Sequence, residues 1–228
     1  MNIQSVISIH RADKWIWLYI PSLILSSSFL FTLIVSLLIN NDEKFYSGSV
    51  TSIFVYVFVL GILVVTQSFP FAVGMSVTRR DYFFGTALMG LAASFILGTL
   101  MCIFAFLENM SNGWGNRFHF FHFPYLNDGT SFLEKLLMYV ILFAFLFFLG
   151  FLISSYARRF GGKGMLLLSL AVLLISSVVV LLFHHFHVWA DIFRWFSSQT
   201  AVGLSYWLLP FILISMVISF LLLRKASI

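Results

Sequence analysis

Charge is scarce in this sequence. Only 9% of its residues are Asp, Glu, Lys or Arg, against about a quarter in a soluble domain. That shortage excludes an ordinary water-soluble fold. A single cysteine, Cys102, lies inside an apolar run, so no internal disulfide is possible and no thiolate metal motif surrounds it. The long apolar runs hold no Asp, Glu, Lys or Arg away from their ends. Proton- and ion-coupled carriers place such groups inside the bilayer as relays and binding sites, so carboxylate-based coupling is disfavoured. A nucleotide-binding loop is also missing. The segment 159–164, Arg-Phe-Gly-Gly-Lys-Gly, lacks the spacing and the terminal Ser/Thr of a P-loop and reads as a flexible turn carrying orienting charges. If the chain moves anything uphill, the energy must come from another subunit.

Apolar side chains dominate: 61% of the residues are hydrophobic and 19% aromatic, with a mean hydropathy of +1.03. Charge-free runs occupy 15–39, 45–78, 82–107, 136–157, 164–190 and 195–223. Each exceeds the roughly 20 residues needed to cross about 30 Å of hydrocarbon. The first run, at 25 residues, is too long for a signal-peptide core of about 7–15 residues, and no small-residue cleavage site follows. The expected fold is an all-α membrane protein, one transmembrane domain over 1–228. Six transmembrane helices are expected near 16–39, 51–69, 79–107, 133–156, 164–184 and 202–223. The second and sixth runs are long, and their surplus should be interfacial or re-entrant.

Orientation follows from the basic residues. Arg11, Lys14, Arg79, Arg80, Arg158, Arg159, Lys163, Arg224 and Lys225 fall on one side of this layout; Lys44, Arg117, Lys135 and Arg194 fall on the other. The excess of Lys and Arg marks the cytoplasmic side, which puts both termini in the cytoplasm, as an even number of spans requires. The net charge of +5 sits in small groups at span ends and argues for orientation rather than for nucleic acid. In 1–14, Ile3, Val6, Ile7 and His10 share one helical face opposite Gln4, Ser5, Ser8 and Arg11, the pattern of an amphipathic helix lying on the membrane.

The densest polar cluster between two runs is at 68–86. Pro70 lacks a donor and should kink or end the helix arriving from residue 50. Gly74 permits a left-handed cap. Thr78 and Asp81 stand three apart, as at the start of a helix near Arg79. In the next run Thr86, Gly90, Ser94 and Gly98 recur every four residues, a small-residue face for close helix packing in lipid, within the chain or against a second copy.

On the opposite side, 108–135 should be irregular. Within 184–200, Val188, Trp189, Ile192, Phe193 and Phe196 are spaced for a short re-entrant or interfacial helix before the sixth span. Five histidines lie on this side: His119, His122, His184, His185 and His187. His119-x-x-His122 and His185-x-His187 each offer two imidazoles, with Glu108 or Asp191 as a carboxylate, but no HExxH helix is present. Polar aromatics at the water interface account for them better, and no metal or catalytic residue is assigned.

The run Phe69-Pro70-Phe71-Ala72-Val73-Gly74-Met75-Ser76-Val77-Thr78-Arg79-Arg80-Asp81-Tyr82-Phe83-Phe84-Gly85-Thr86, set between the second and third of six spans, resembles the membrane subunit of a bacterial ABC exporter of the ABC-2 permease type. The layout is similar over the whole chain, the motif over these residues. The resemblance implies a plasma-membrane permease in which 3–14 is the inner-leaflet helix and 69–81 is a coupling helix docking on a separate ATPase. It also implies that 186–200 holds the short outer helices. Phe69, Pro70, Phe71, Gly74, Met75, Arg79, Arg80 and Asp81 are then the coupling residues. Phe69, Phe71 and Met75 would form an apolar knob, while Arg79 and Arg80 would meet acidic rim residues or anionic lipid. ATP and Mg would be bound by the partner, and a second permease chain would complete the pathway, with the Thr86–Gly98 face one packing surface for it. Hydrophobic or amphipathic cargo, such as a peptide, drug or lipid-like molecule, suits the charge-free interior. The departure is the long 108–135 loop. A metal-dependent membrane enzyme using the outer histidines, and a non-transporting immunity or sensor protein, are the competing readings.

Overall fold

The computed structural model describes residues 3–39, 45–111, 113–114, 118–121 and 131–226. Its helices are α1 (Ile3–Ala12), α2 (Ile20–Ile39), α3 (Thr51–Leu63), α4 (Phe69–Gly74), α5 (Arg79–Met110), α6 (Phe132–His185), α7 (Trp189–Ser198), α8 (Ala201–Tyr206) and α9 (Leu208–Arg224). Two short strands, β1 (Phe45–Tyr46) and β2 (Phe118–His119), pair in parallel and tie two loops together. Five helical stretches are long and apolar enough to cross a membrane: Trp15–Leu38, Gly48–Gly74, Arg79–Met110, Phe132–His185 and Ala201–Arg224. The fourth is 54 residues long, about 80 Å of helix and far more than one crossing needs. It is interrupted at Gly161, whose φ of 67° and ψ of −169° are not helical. A residue with a side chain pays heavily for that conformation; glycine does not.

The core is a block of phenylalanine between α3, α5 and α6. Phe143, Phe147, Phe148 and Phe151 of α6 are buried, and Phe54 of α3 stacks on Phe143 with ring centroids 4.7 Å apart. Close approach depends on missing side chains. A Cβ at Gly61 would overlap the Phe147 carbonyl, and one at Gly150 the Phe58 carbonyl, so α3 and α6 meet almost backbone to backbone. Ser154 Oγ donates across this seam to the Ile62 carbonyl at 3.0 Å.

The small-residue face of α5 is filled from within the chain. A Cβ at Gly90 would overlap the Phe147 ring, and one at Gly98 would lie 2.7 Å from Val140 Cγ2. Thr86 and Ser94 are buried on the same face, with Thr86 taken by His10 of α1. The expected packing face therefore serves α1 and α6, leaving no room there for a second copy. A polar seam joins α2 to the start of α3, where Thr32 Oγ1 donates to Ser49 Oγ at 3.0 Å and Ser28 Oγ to the Ser49 carbonyl at 3.0 Å.

Pro70 does not end its helix. The turn Val64–Ser68 widens to a π-helix, and α4 follows with Pro70 in its first turn. There the missing N–H costs nothing. Beyond Gly161, 166–182 is exposed on every side, with Leu166, Leu173, Ile175 and Leu181 each well over half accessible.

Candidate functional site

The basic ends of the chain converge. Arg79 at the start of α5 donates Nη1–H to the Arg224 carbonyl at the end of α9, 3.0 Å away, and the Arg158 guanidinium of α6 lies 5.9 Å from the Phe69 ring centroid. The short helix α4 stands at this convergence. Its C-terminal end is closed by local hydrogen bonds. Val77 N–H donates to the Ala72 carbonyl at 3.1 Å and Ser76 N–H to the Val73 carbonyl at 2.9 Å, the paired bonds of a Schellman motif. The left-handed residue is Ser76, at φ 61°. Gly74, expected to take that role, remains helical. Thr78 then caps α5, its Oγ1 accepting from Asp81 N–H at 3.1 Å.

Of the three residues expected to form an apolar knob, two face outward: Phe71 is 57% exposed and Met75 48%. Phe69 is fully buried, its ring 5.1 Å from Tyr82. It anchors the stub and offers a partner nothing. The physical reason is helical spacing: Phe69 and Ala72 turn inward together while Phe71 and Met75, four apart, turn outward. Gly74 has open space where a Cβ would project.

Beneath the stub lies a buried polar cluster. Tyr82 OH donates to the Val64 carbonyl at 3.0 Å and meets Ser68 Oγ at 2.8 Å, while Ser68 Oγ donates to the same carbonyl at 2.6 Å. One turn along α5, Thr86 Oγ1 lies 2.9 Å from His10 Nε2, and the His10 ring sits 5.5 Å from Trp17 and 6.3 Å from Tyr82. Burial pushes His10 down to about 4, with Asp13 opposing the shift. Gly85 admits α1 at this point, since a Cβ there would come 2.7 Å from Val6 Cβ. The amphipathic face of α1, with Val6 and His10 at its centre, is thus docked on α5.

At the other end, Glu108 is fully buried. Its Oε2 accepts from Trp114 Nε1 at 3.0 Å, Phe120 N–H at 2.8 Å and Phe121 N–H at 2.9 Å, and its Oε1 lies 3.5 Å from His119 Nδ1. The structure brings Glu108 and His119 together, yet the carboxylate is engaged in holding a loop. His184, His185 and His187 close α6, and His122 lies outside the described residues. Among the described residues no group of three or more His, Cys, Asp or Glu could hold a metal ion. Nearby, an apolar cleft of about 760 Å3 is lined by Met138, Trp195, Phe196, Trp207 and Phe211, among others. The amphipathic α7 and the stub α8, reached through the Thr200 cap on Gly203 N–H, precede α9.

Comparison of the chain with family models, curated proteins and solved structures finds no match.

Proposed function

We propose that the chain is the membrane subunit of an ATP-driven exporter, with α4 as the foot that docks on a separate ABC ATPase. The observation that carries this reading is the exposure of Phe71 and Met75 on a helical stub closed at its C-terminal end and rooted by Phe69. Two outward apolar side chains a helical turn apart are the anchor pattern of a helix lying in a groove. The chain itself holds no nucleotide loop, so ATP and Mg belong to the partner.

Gly161 divides the 54-residue helix into two crossings, which gives six spans in a bacterial plasma membrane. The foot, α1 and both termini then lie on the cytoplasmic side, where the basic residues cluster. Two permease chains form the pathway, since one six-span body encloses little space. The cargo is hydrophobic or amphipathic, a peptide, drug or lipid-like molecule, in keeping with the apolar cleft beside α7 and α8.

A gene for an ABC ATPase beside that of this chain is the first check. Co-expression of that ATPase with the tagged chain should give a complex that hydrolyses ATP. Phe71→Asp and Gly74→Trp should abolish the complex, because both side chains project into space the fold leaves open. Association unchanged in both variants, or ATP hydrolysis by the isolated chain, would overturn the proposal.

A further inference from the structure

Three arginines, the adjacent Arg79 and Arg80 and the distant Arg224, line one cavity at the basic end. Arg79 and Arg80 open α5, Arg224 closes α9, and Phe84 and Phe220 complete a space of about 470 Å3. That is roughly fifteen times a water molecule's share of liquid volume. Arg79 is held in place by its bond to the Arg224 carbonyl. Among the described residues the ion pairs are Glu108–His119 and Asp191–Arg194, so no carboxylate there, Asp81 of the same turn included, is bonded to any of the three guanidiniums. The first turn of α5, a helix of 32 residues, adds the partial positive charge of its free N–H groups.

The other half of the cavity is apolar. The Arg80 guanidinium lies 5.8 Å from the Phe84 ring centroid, and the Phe84 and Phe220 rings are 5.9 Å apart. The wall continues outward: Phe84, Leu88 and Leu91 share one exposed face of α5, and Phe220 is followed by exposed Val217 on α9. A free phosphate would use the arginines alone. An amphiphile would use both halves.

We infer that this cavity binds an anionic phospholipid, its phosphodiester on Arg79, Arg80 and Arg224 and its acyl chains along Phe84–Leu91 and Phe220–Val217. The assignment needs only that the chain sits in a bilayer and does not rest on the exporter reading. It also removes Arg79 and Arg80 from the rim of the foot, leaving docking to Phe71 and Met75. Basic pockets between spans on the inner side of a membrane are suited to such headgroups.

The test is lipid binding to the purified full-length chain in neutral detergent, titrated with dioleoyl phosphatidylglycerol or dioleoyl phosphatidylcholine and read by native mass spectrometry. Wild type should prefer phosphatidylglycerol. The variant R79Q/R80Q/R224Q should bind it about a hundredfold more weakly, near fivefold per cation removed, and R79K/R80K/R224K should stay within a few fold of wild type. Thermal unfolding in phosphatidylcholine alone should match for all three. If the Gln variant unfolds, F84A/F220A decides in its place: it should lose preference for phosphatidylglycerol over inorganic phosphate. Undiminished binding by the Gln variant, or full displacement of the lipid by excess inorganic phosphate, would overturn the inference. So would loss of the co-expressed ATPase from the Gln variant in lipid-free detergent, which would return the arginines to the docking rim.

Discussion

Glu108 illustrates how one side chain can organise a loop. Three donors, from Trp114, Phe120 and Phe121, converge on a single carboxylate oxygen buried at the end of α5. Glu108→Ala strands all of them, at about 1–3 kcal/mol for each buried donor left unpaired. The variant should unfold at lower temperature and shift the emission of Trp114 to the red. Gly90 makes the opposite point, since its missing Cβ leaves space for the Phe147 ring. Gly90→Ala should cost about 1–3 kcal/mol by overpacking, and Phe147→Leu in the same chain should recover part of it, a coupling visible in a double-mutant cycle. The sequence exposes the second residue better than the first. Gly90 announces itself through its repeat with Thr86, Ser94 and Gly98. Glu108 reads only as a charge at a span end, because the donors it gathers come from an irregular loop whose backbone direction no periodicity encodes. Gly61 and Gly150 escape for a related reason: each stands alone, and a lone glycine carries no spacing.

At the scale of elements, α1 is the most condition-sensitive part. His10 titrates near 6.5 when free and about 4 when docked, so the undocked form binds the extra proton between those values. Docking is therefore unpenalised above pH 6.5, weakens as pH falls towards 4, and by then has lost about 3 kcal/mol. Quenching of Trp17, beside the His10 ring, should follow that decline in the purified protein, and His10→Asn should flatten it. The face of α1 is plain in the sequence, since Val6 and His10 fall at helical spacing. Its partner is not, because Gly85 reads as one glycine in a motif until Val6 is seen above it. The start of α5 at Arg79 is equally plain from Thr78 and Asp81. The fate of Pro70 is not: a widened turn before it absorbs the lost hydrogen bond, and nothing local distinguishes that outcome from a break.

For the molecule as a whole, the decisive question is which ends share a side. With Cys102 replaced by Ala, single cysteines at Ser76, Lys163 and Lys225 should react with an impermeant maleimide only from the side of the foot. Cysteines at Ser131 and His187 should react only from the other. Labelling of Lys163 and His187 from the same side would abolish the fifth crossing. The membrane character of the chain is legible in its shortage of charge, and five apolar helices follow directly. The break within 132–185 is legible too, since 159–164 reads as a turn carrying charges and the helix is interrupted there, at Gly161.

The Schellman closure after α4 has a mechanical corollary. Ser76, Val77 and Thr78 leave no slack between the stub and α5, so the two behave as a bent crank rather than as a rod with a tassel. If α4 is the docking foot, a push on Phe71 would be passed to a shaft about 48 Å long whose far end carries the Glu108 clasp. Under the exporter reading, displacement at one membrane surface would thereby be geared to the loop at the other, with no intervening joint to dissipate the stroke.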